Sequence, residues 1–418
     1  MRGQDDKPAG LSRRGLFLGA AALGGTFATA GQAAETGKVA PDAMPDPDQR
    51  RYAFYGTGPQ AGIATPPQQH LMAMAFDLTG TDPRALQVLL ARWSASIGLM
   101  MEGQPVGPVE PDRAAATALE TGEALGLGPA GLTVTVGLGP RVFSKEMGLA
   151  AKAPPHLRPL ADLPSDALRP EISGGDLSLQ ACADDPQVAY HAVRILARIA
   201  KRTGAATVRW TQLGFGRASA GAGQETPRNL FGYRDGTRNI TTPEQLAQHV
   251  WANDGPEWQH GGTYQVMRRI EMHIENWDNA QVSHQNDVFG RHKLTGAPLT
   301  GTDEFDTPDF KAKNAQGEPV IPTHAHIRLA AHETNEGIRI LRRGYNFTGG
   351  LNAVGRLDAG LFFISYQNDP AHFEALQRRL GASDLLNEYI SHTGSGLFWV
   401  PPAAQKGSYI GAPLFAGV

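Results

Sequence analysis

Hydrophobic and polar positions along this chain alternate between a period of two and one near 3.6, so strands and helices are expected to interleave. Leu71–Leu78 reads as a strand, Pro83–Ile97 as a helix and Leu132–Leu138 as a strand. Leu177–Cys182 follows as a strand, then Asp184-Asp185-Pro186 and an amphipathic helix to about Arg202, with Val208–Gly214 as one more strand. Much later the sequence repeats this layout: a strand at Leu361–Tyr366, then Asn368-Asp369-Pro370 and a helix to about Leu380. The two passages superimpose without gaps at an offset of 184, placing Leu177 on Leu361, Asp185 on Asp369 and Pro186 on Pro370. An acid before a proline is a common helix start, so part of the match is convergent. The shared strand–cap–helix order still argues for an internal duplication. Helices on antiparallel sheets in both halves give an α+β class.

Between the repeats, His324–Phe347 carries the densest candidate chemistry. His326–Leu329 and Gly337–Arg342 alternate polar and apolar residues, which predicts two short strands. Period two then puts Ile338, Ile340 and Arg342 on one face and Arg339, Leu341 and Arg343 on the other. A guanidinium sharing a face with two isoleucines needs an anionic or strongly accepting partner. His326, sixteen positions earlier, can share its cavity. By themselves these residues fit ordinary structural polar residues better than a site.

A second stretch, Asn229-Leu230-Phe231-Gly232-Tyr233-Arg234-Asp235-Gly236-Thr237-Arg238-Asn239, changes that balance. An isolated Asp-Gly is ordinary turn chemistry. The whole string resembles the G-[FY]-x-D-G-[TS]-x-N signature of the dye-decolourising peroxidases, and His324–Phe347 resembles the same family's AHIRLA…RRGYNF block. The resemblance extends to Arg51–Gly56 with Gln60–Pro66, to Phe289-Gly290-Arg291 with Gly296–Leu299, and to Gly360–Ile364. It is similar above all to the exported deferrochelatase/peroxidase branch that accompanies bacterial iron uptake.

The resemblance implies two ferredoxin-like halves of the dimeric α+β barrel type, residues 51–222 and 223–418, with haem mostly in the second. It implies one haem b per chain, with His326 as the proximal ligand to iron. Asp235 would move a proton between the two oxygens of bound peroxide. Burial favours its neutral form and a nearby arginine its carboxylate, so the working range depends on their balance. Arg342 would stabilise charge on the departing oxygen. Gly236, Thr237 and Arg238 align with haem contacts, and Arg291 with a contact to a propionate, which guanidinium can bind through two parallel hydrogen bonds. His324 and His332 are rivals to His326, and Arg343 to Arg342. Tyr233 stands where phenylalanine is commoner, as an oxidisable side chain or as one more packed aromatic. A proximal histidine usually gives its other ring nitrogen to a carboxylate, for which Asp303, Glu304 and Asp306 are the candidates.

Composition narrows the setting. The chain has 418 residues, 41% hydrophobic and 19% charged, with a formal charge of −3. This suits one large or two medium globular domains and gives no sign of nucleic-acid binding. Fifty glycines and thirty prolines point to many turns, with long loops expected at Gly148–Gly175 and Gly296–Pro322, the second covering one edge of the haem cavity. The only cysteine, Cys182, excludes an intramolecular disulfide and covalent haem attachment, so haem must be held non-covalently. Residues 1–34 read as a twin-arginine signal peptide around Arg13-Arg14, and residues 35–50 as a flexible lead-in, which implies periplasmic export.

The leading expectation is a peroxidase that takes hydrogen peroxide and small organic reductants. The alternatives are a deferrochelatase that frees iron and leaves the porphyrin intact, or a non-catalytic haem-delivery protein. Components of an iron-uptake system, the twin-arginine translocase and a second copy of the chain are the expected partners.

Overall fold

The computed structural model describes residues 49–113 and 115–417. The twin-arginine motif, its cleavage region and nearly all of the lead-in lie outside the described residues. Arg50 already belongs to the folded body, through an ion pair with Asp184.

The first half runs β1 (His70–Leu78), α1 (Pro83–Met101), β2 (Thr133–Leu138), β3 (Leu177–Ala183), α2 (Pro186–Thr203) and β4 (Ala206–Arg217). The second runs α3 (Pro243–His249), β5 (Thr263–Met272), α4 (Ile274–Asp278), α5 (Val282–Phe289), α6 (His326–Ala330), β6 (Leu341–Arg342), β7 (Tyr345–Leu351), β8 (Leu357–Gln367), α7 (Pro370–Ser383) and β9 (Ile390–Val400). The first four strands pair antiparallel in the order β2-β3-β1-β4. The later strands repeat that order as β7-β8-β5-β9, with β6 extending the β7 edge. Each half is therefore ferredoxin-like.

The halves join through thin seams. Leu138 of β2 lies opposite Trp399 of β9, while Phe215 and Arg217 of β4 lie opposite Asn346 and Tyr345 of β7. With β5 paired to β8, the sheet closes on itself. Alternate residues then separate two environments. Met72, Met74 and Phe76 of β1 pack in one apolar core with α1 and α2, including Trp93 and Leu196. Leu71, Ala73 and Ala75 share another with Tyr345, Phe347, Phe362, Ile364 and Phe398, inside the closed sheet.

The duplication is visible at the helix starts. Asp185 accepts hydrogen bonds from the backbone N–H groups of Gln187 and Val188, and Asp369 from that of Ala371, with Pro186 and Pro370 in the first turns. The halves differ in what covers their outer face. In the first, α1 does so through buried Leu86, Leu89, Leu90, Trp93 and Ile97. In the second, residues 273–340 form short helices and irregular chain. The outward residues of β5 and β8, among them Ile270, Met272, Leu361 and Phe363, instead face a cavity walled on another side by α7.

Two expectations for this region are corrected. His326–Leu329 is not a strand but most of the short helix α6, closed by the Leu329 N–H donating to the Ala325 carbonyl (3.2 Å). Five residues cannot separate the two periods, and both edges of β8 are already taken by β5 and by β6 with β7. The strand expected over Gly337–Arg342 shrinks to Leu341–Arg342. β5 and β9 went unrecognised in the pattern. In β5 the adjacent Arg268 and Arg269 break the apolar alternation, yet both are buried, paired with Asp166 and Asp358 respectively. Asp166 belongs to the Gly148–Gly175 loop, which also sends Arg158 to the Glu374 carboxylate through two bonds of 2.6 and 2.8 Å. That loop is thus a buttress for β5 and α7 as well as a surface connection.

Candidate active site

Residues 226–239 form a folded loop on one wall of the cavity. The Asn229 N–H donates to the Tyr233 carbonyl (3.0 Å), and the Asp235 N–H to that of Pro227 (2.8 Å). Gly236 has φ +96°, and a Cβ there would stand 3.0 Å from Ala220 N and Ser219 Cα, so no other residue fits without strain. This turn aims Asp235 inward. Arg342 Nη2 donates to its Oδ1 (2.5 Å) and Asn229 Nδ2 to its Oδ2 (3.1 Å).

Arg342 is held from the other side. Its N–H donates to Asn239 Oδ1 (2.9 Å), and Asn239 Nδ2 donates to its carbonyl (2.8 Å). The amide of Asn239 therefore completes a two-bond pairing with β6 as a neighbouring strand would. That explains the asparagine closing the loop motif and the shortness of β6.

Across the cavity, His326 Nδ1 donates to Asp384 Oδ2 (2.6 Å), while Asp384 Oδ1 accepts from the Leu386 N–H (2.9 Å). The Asp384 side chain is 2% exposed and that of His326 25%. With Nδ1 engaged, Nε2 is the nitrogen left for a partner in the cavity. Burial disfavours the charged imidazole, but the charge and hydrogen bond of Asp384 outweigh it and hold the pKa of His326 above its ordinary value. Phe289 meets the imidazole ring edge-on with centroids 6.1 Å apart, and itself stacks on Tyr233 at 4.1 Å.

Arg238 and Glu333 pair through two bonds of 2.6 and 3.1 Å, and Arg234 lies 3.1 Å from Glu304, which also accepts from Thr237 Oγ1 (3.0 Å). Arg291 is different. It is buried and donates to the carbonyls of Gly296 (2.6 Å) and Glu304 (3.0 Å), with no carboxylate in salt-bridge contact among the described residues. Burial and the charges of Arg238 and Arg342 bring its pKa down to about 10, against a partial pull upward from Glu304. A buried guanidinium in a cavity wall without its own carboxylate can seat an external anion.

The cavity has a volume of about 260 Å³. His326, Asp235, Gly236, Thr237, Arg238, Arg291 and Arg342 all line it, as do His332 and Arg339. His324 is exposed, and Arg343 is buried elsewhere, donating to the Thr65 carbonyl and Gln68 Oε1. Tyr233 is a packed aromatic whose hydroxyl donates to Asn286 Oδ1 (2.7 Å). The carboxylate behind His326 is none of the three expected from the sequence. Asp303 and Asp306 fold their own loop, and Glu304 serves Thr237 and Arg234. Asp384 lies 58 positions from His326, and its only sequence signal is a helix-cap pattern in Ser383-Asp384-Leu385-Leu386. The Gly296–Pro322 loop reaches the cavity at Pro308.

These walls fit a flat, largely apolar tetrapyrrole with two carboxylate arms. Met272, Ile270, Leu361, Phe363 and Leu376 offer apolar contact, His326 a nitrogen ligand and Arg291 an anion seat. The closed sheet and this pocket define a duplicated ferredoxin-like protein with a cofactor-sized cavity in its second half. The chain belongs to the Dyp-type peroxidase family: residues 60–216 match the model for the N-terminal part of Dyp-type peroxidases and residues 226–405 that for the C-terminal part. It is 36% identical to a deferrochelatase of Yersinia pseudotuberculosis, over 98% of this chain and 96% of that protein. It is 37% identical to a dye-decolorizing peroxidase of Thermobifida fusca, over 99% of each. The crystal structure of a DyP-type peroxidase from Streptomyces coelicolor superimposes with a TM-score of 0.82 at 38% identity, covering 90% of this chain and 100% of that one. Like its family, the protein is a haem peroxidase.

Proposed function

We propose that this protein reduces hydrogen peroxide at one non-covalent haem b per chain, with Asp235 and Arg342 on the peroxide side and His326 on the iron side. The observation that carries this reading is a single cavity bearing two fixed pairs, His326–Asp384 and Asp235–Arg342. Bound haem supplies the metal that peroxide reaches and the electrons that split its O–O bond. With haem bound, Nε2 of His326 would hold the iron, while Asp384 would keep the ring oriented and strengthen it as a donor. Asp235 takes the proton from the nearer peroxide oxygen and returns it to the departing one, which leaves as water. Arg342, fixed by Asn239, stabilises the charge that builds on the departing oxygen without having to move. Arg291 would take a propionate, and Gly236, Thr237 and Arg238 would border the ring. Broad small organic reductants return the electrons.

Proteins named deferrochelatase and dye-decolorizing peroxidase are similarly close in sequence, so iron release is the second reading. Removing iron with the porphyrin intact requires protons at the pyrrole nitrogens. Of the acids lining the cavity, Asp384 serves His326, which leaves Asp235. A haem carrier without turnover has no use for a charged pair opposite the histidine. The deciding experiment mixes haem-loaded protein with peroxide and an organic donor and follows donor oxidation, free iron and metal-free porphyrin fluorescence together. Donor oxidation with haem retained supports the peroxidase reading. Stoichiometric iron and intact porphyrin without donor oxidation overturn it.

Export completes the proposal. Arg13-Arg14 suits the twin-arginine route, with cleavage between Ala30 and Glu35, delivering the protein folded to the periplasm beside an iron-uptake system, as a monomer or homodimer. The two halves divide near residue 222. Lysine at both Arg13 and Arg14 should leave the precursor in the cytoplasm, and normal periplasmic appearance of that variant overturns the route.

A further inference from the structure

One face of α2, remote in sequence from the haem cavity, gathers a second cluster of ligand-type side chains. Gln187, His191, Arg194, Arg198 and Arg202 recur at helical spacing and meet the irregular chain between α1 and β2. Gln187 bonds the Glu123 carbonyl, and Arg198 and Arg202 donate to the carbonyl of Ala118 at 2.7 and 3.0 Å. His191 and Arg194 meet carboxylates instead. His191 Nε2 lies 2.9 Å from Glu120 Oε1, and Arg194 Nη1 lies 3.1 Å from Glu123 Oε1.

Glu120, Glu123 and His191 each bring a ligand atom within 4.8 Å of the other two. The separation of 2.9 Å between nitrogen and oxygen suits a hydrogen bond. It equally suits two ligands roughly 2.1 Å from one ion and at right angles to each other. A hydrogen-bonded explanation of the cluster leaves a remainder. Glu123 is tied only loosely: Arg194 and the Thr121 hydroxyl lie beside its carboxylate, yet neither oxygen receives a well-aligned hydrogen bond. Unpaired buried oxygens are costly unless something else meets them. Glu120, by contrast, is fixed by the backbone: its Oε1 accepts from the N–H groups of Thr121 and Gly122 at 2.7 Å each and its Oε2 from that of Val106 at 2.8 Å.

We propose that Glu120, Glu123 and His191 form a site for one divalent first-row transition ion, which fastens the chain between α1 and β2 to α2. Two carboxylates and one imidazole are borderline-hard donors that suit zinc or manganese. Two carboxylates against the single Arg194 leave one negative charge, which favours a divalent cation. The Thr121 hydroxyl or water completes the coordination.

The test uses the full haem-loaded protein after treatment with a chelator. Titration with Zn²⁺ alone should show one saturable site by calorimetry and raise the thermal midpoint by ligand linkage. Glu123→Gln and His191→Gln should each weaken binding at least about tenfold, as loss of a metal ligand or its support does, and remove the thermal shift while peroxide turnover stays unchanged. Two carboxyl–guanidinium and imidazole pairs without a metal role would instead change the midpoint equally with and without Zn²⁺. Failure of the unsubstituted protein to bind a single Zn²⁺, or binding that both substitutions leave intact, overturns the site.

Discussion

Arg342 donates a hydrogen bond of 2.5 Å to Asp235, so these two cavity side chains are one charged unit rather than two independent groups. Their contributions to catalysis should therefore not add.

Asp235→Asn keeps the shape and one acceptor but cannot take a proton. The second-order rate of reaction with peroxide should drop roughly 10²–10⁴-fold, and its fall on acidification should disappear. Arg342→Leu removes the fixed cation and should cost on the order of 10²–10³-fold. The double substitution should cost clearly less than the product of the two. Stopped-flow measurement between about pH 3 and 8 decides this, and an intact acid limb in Asp235→Asn would assign the proton to another group.

Asn239 fixes the Arg342 end of this pair through the backbone. Its amide exchanges two hydrogen bonds with the Arg342 backbone and gives a third to the Ala220 carbonyl (3.1 Å). Asn239→Ala should lose about 1–3 kcal/mol of stability and slow the peroxide reaction, with the affinity for haem nearly unchanged. Asn239→Asp, which keeps one acceptor, should recover the Arg342 N–H bond alone and fall between. Denaturant unfolding and peroxide kinetics on the same samples test the order.

On the opposite side, His326→Ala should lose most haem or shift its spectrum, whereas His324→Ala should keep both. Asp384→Asn should weaken haem retention about 10–100-fold, the usual cost of losing a carboxylate behind a histidine ligand. Haem transfer to an apo-globin acceptor measures each. If His324→Ala loses haem and His326→Ala does not, the ligand assignment is wrong.

The legibility of the sequence follows where local physics decides. β1, α1, β2, β3, α2, β8 and α7 were readable because each carries a clean period and, for α2 and α7, an Asp–Pro start. β5 was hidden by Arg268 and Arg269, whose burial depends on acids far away in the chain, Asp166 and Asp358. The strand form expected at His326 failed because a five-residue alternation fits a helical turn as well, and the edges of β8 were occupied. That Asp235, Arg342 and His326 meet in one cavity was legible through motifs, while the face parity that favoured Arg342 over Arg343 was drawn on a strand that the fold shortens to Leu341–Arg342. Asp384 was not legible, since its role is set by the return of α7 toward α6, a tertiary fact with no local periodicity.

The inner end of the cavity offers a last prediction, through pH. His392 is buried, and its Nε2 accepts from Gln377 Nε2 at 3.2 Å while Nδ1 has no partner. Burial, aided by the charge of Arg268, pushes its pKa down to about 3 from an ordinary 6.5. Between those values the unfolded chain holds a proton on this imidazole and the folded chain does not. The unfolded state therefore gains on acidification, and stability is lost as pH falls below about 6.5. One such group contributes a slope of up to about 1.4 kcal/mol per pH unit. The raised pKa of haem-free His326 works in the opposite sense, giving stability that is full below its unfolded value and lost as pH rises through the folded one. The measurement should therefore use haem-loaded protein, in which that imidazole is engaged. His392→Gln keeps an amide-sized polar group toward Gln377 and cannot titrate. Whatever its stability at pH 7, the variant should show a shallower decline between about pH 6 and 5, where ordinary carboxylates stay ionised. Equal slopes for the two proteins in denaturant unfolding would mean that His392 is protonated in the folded state.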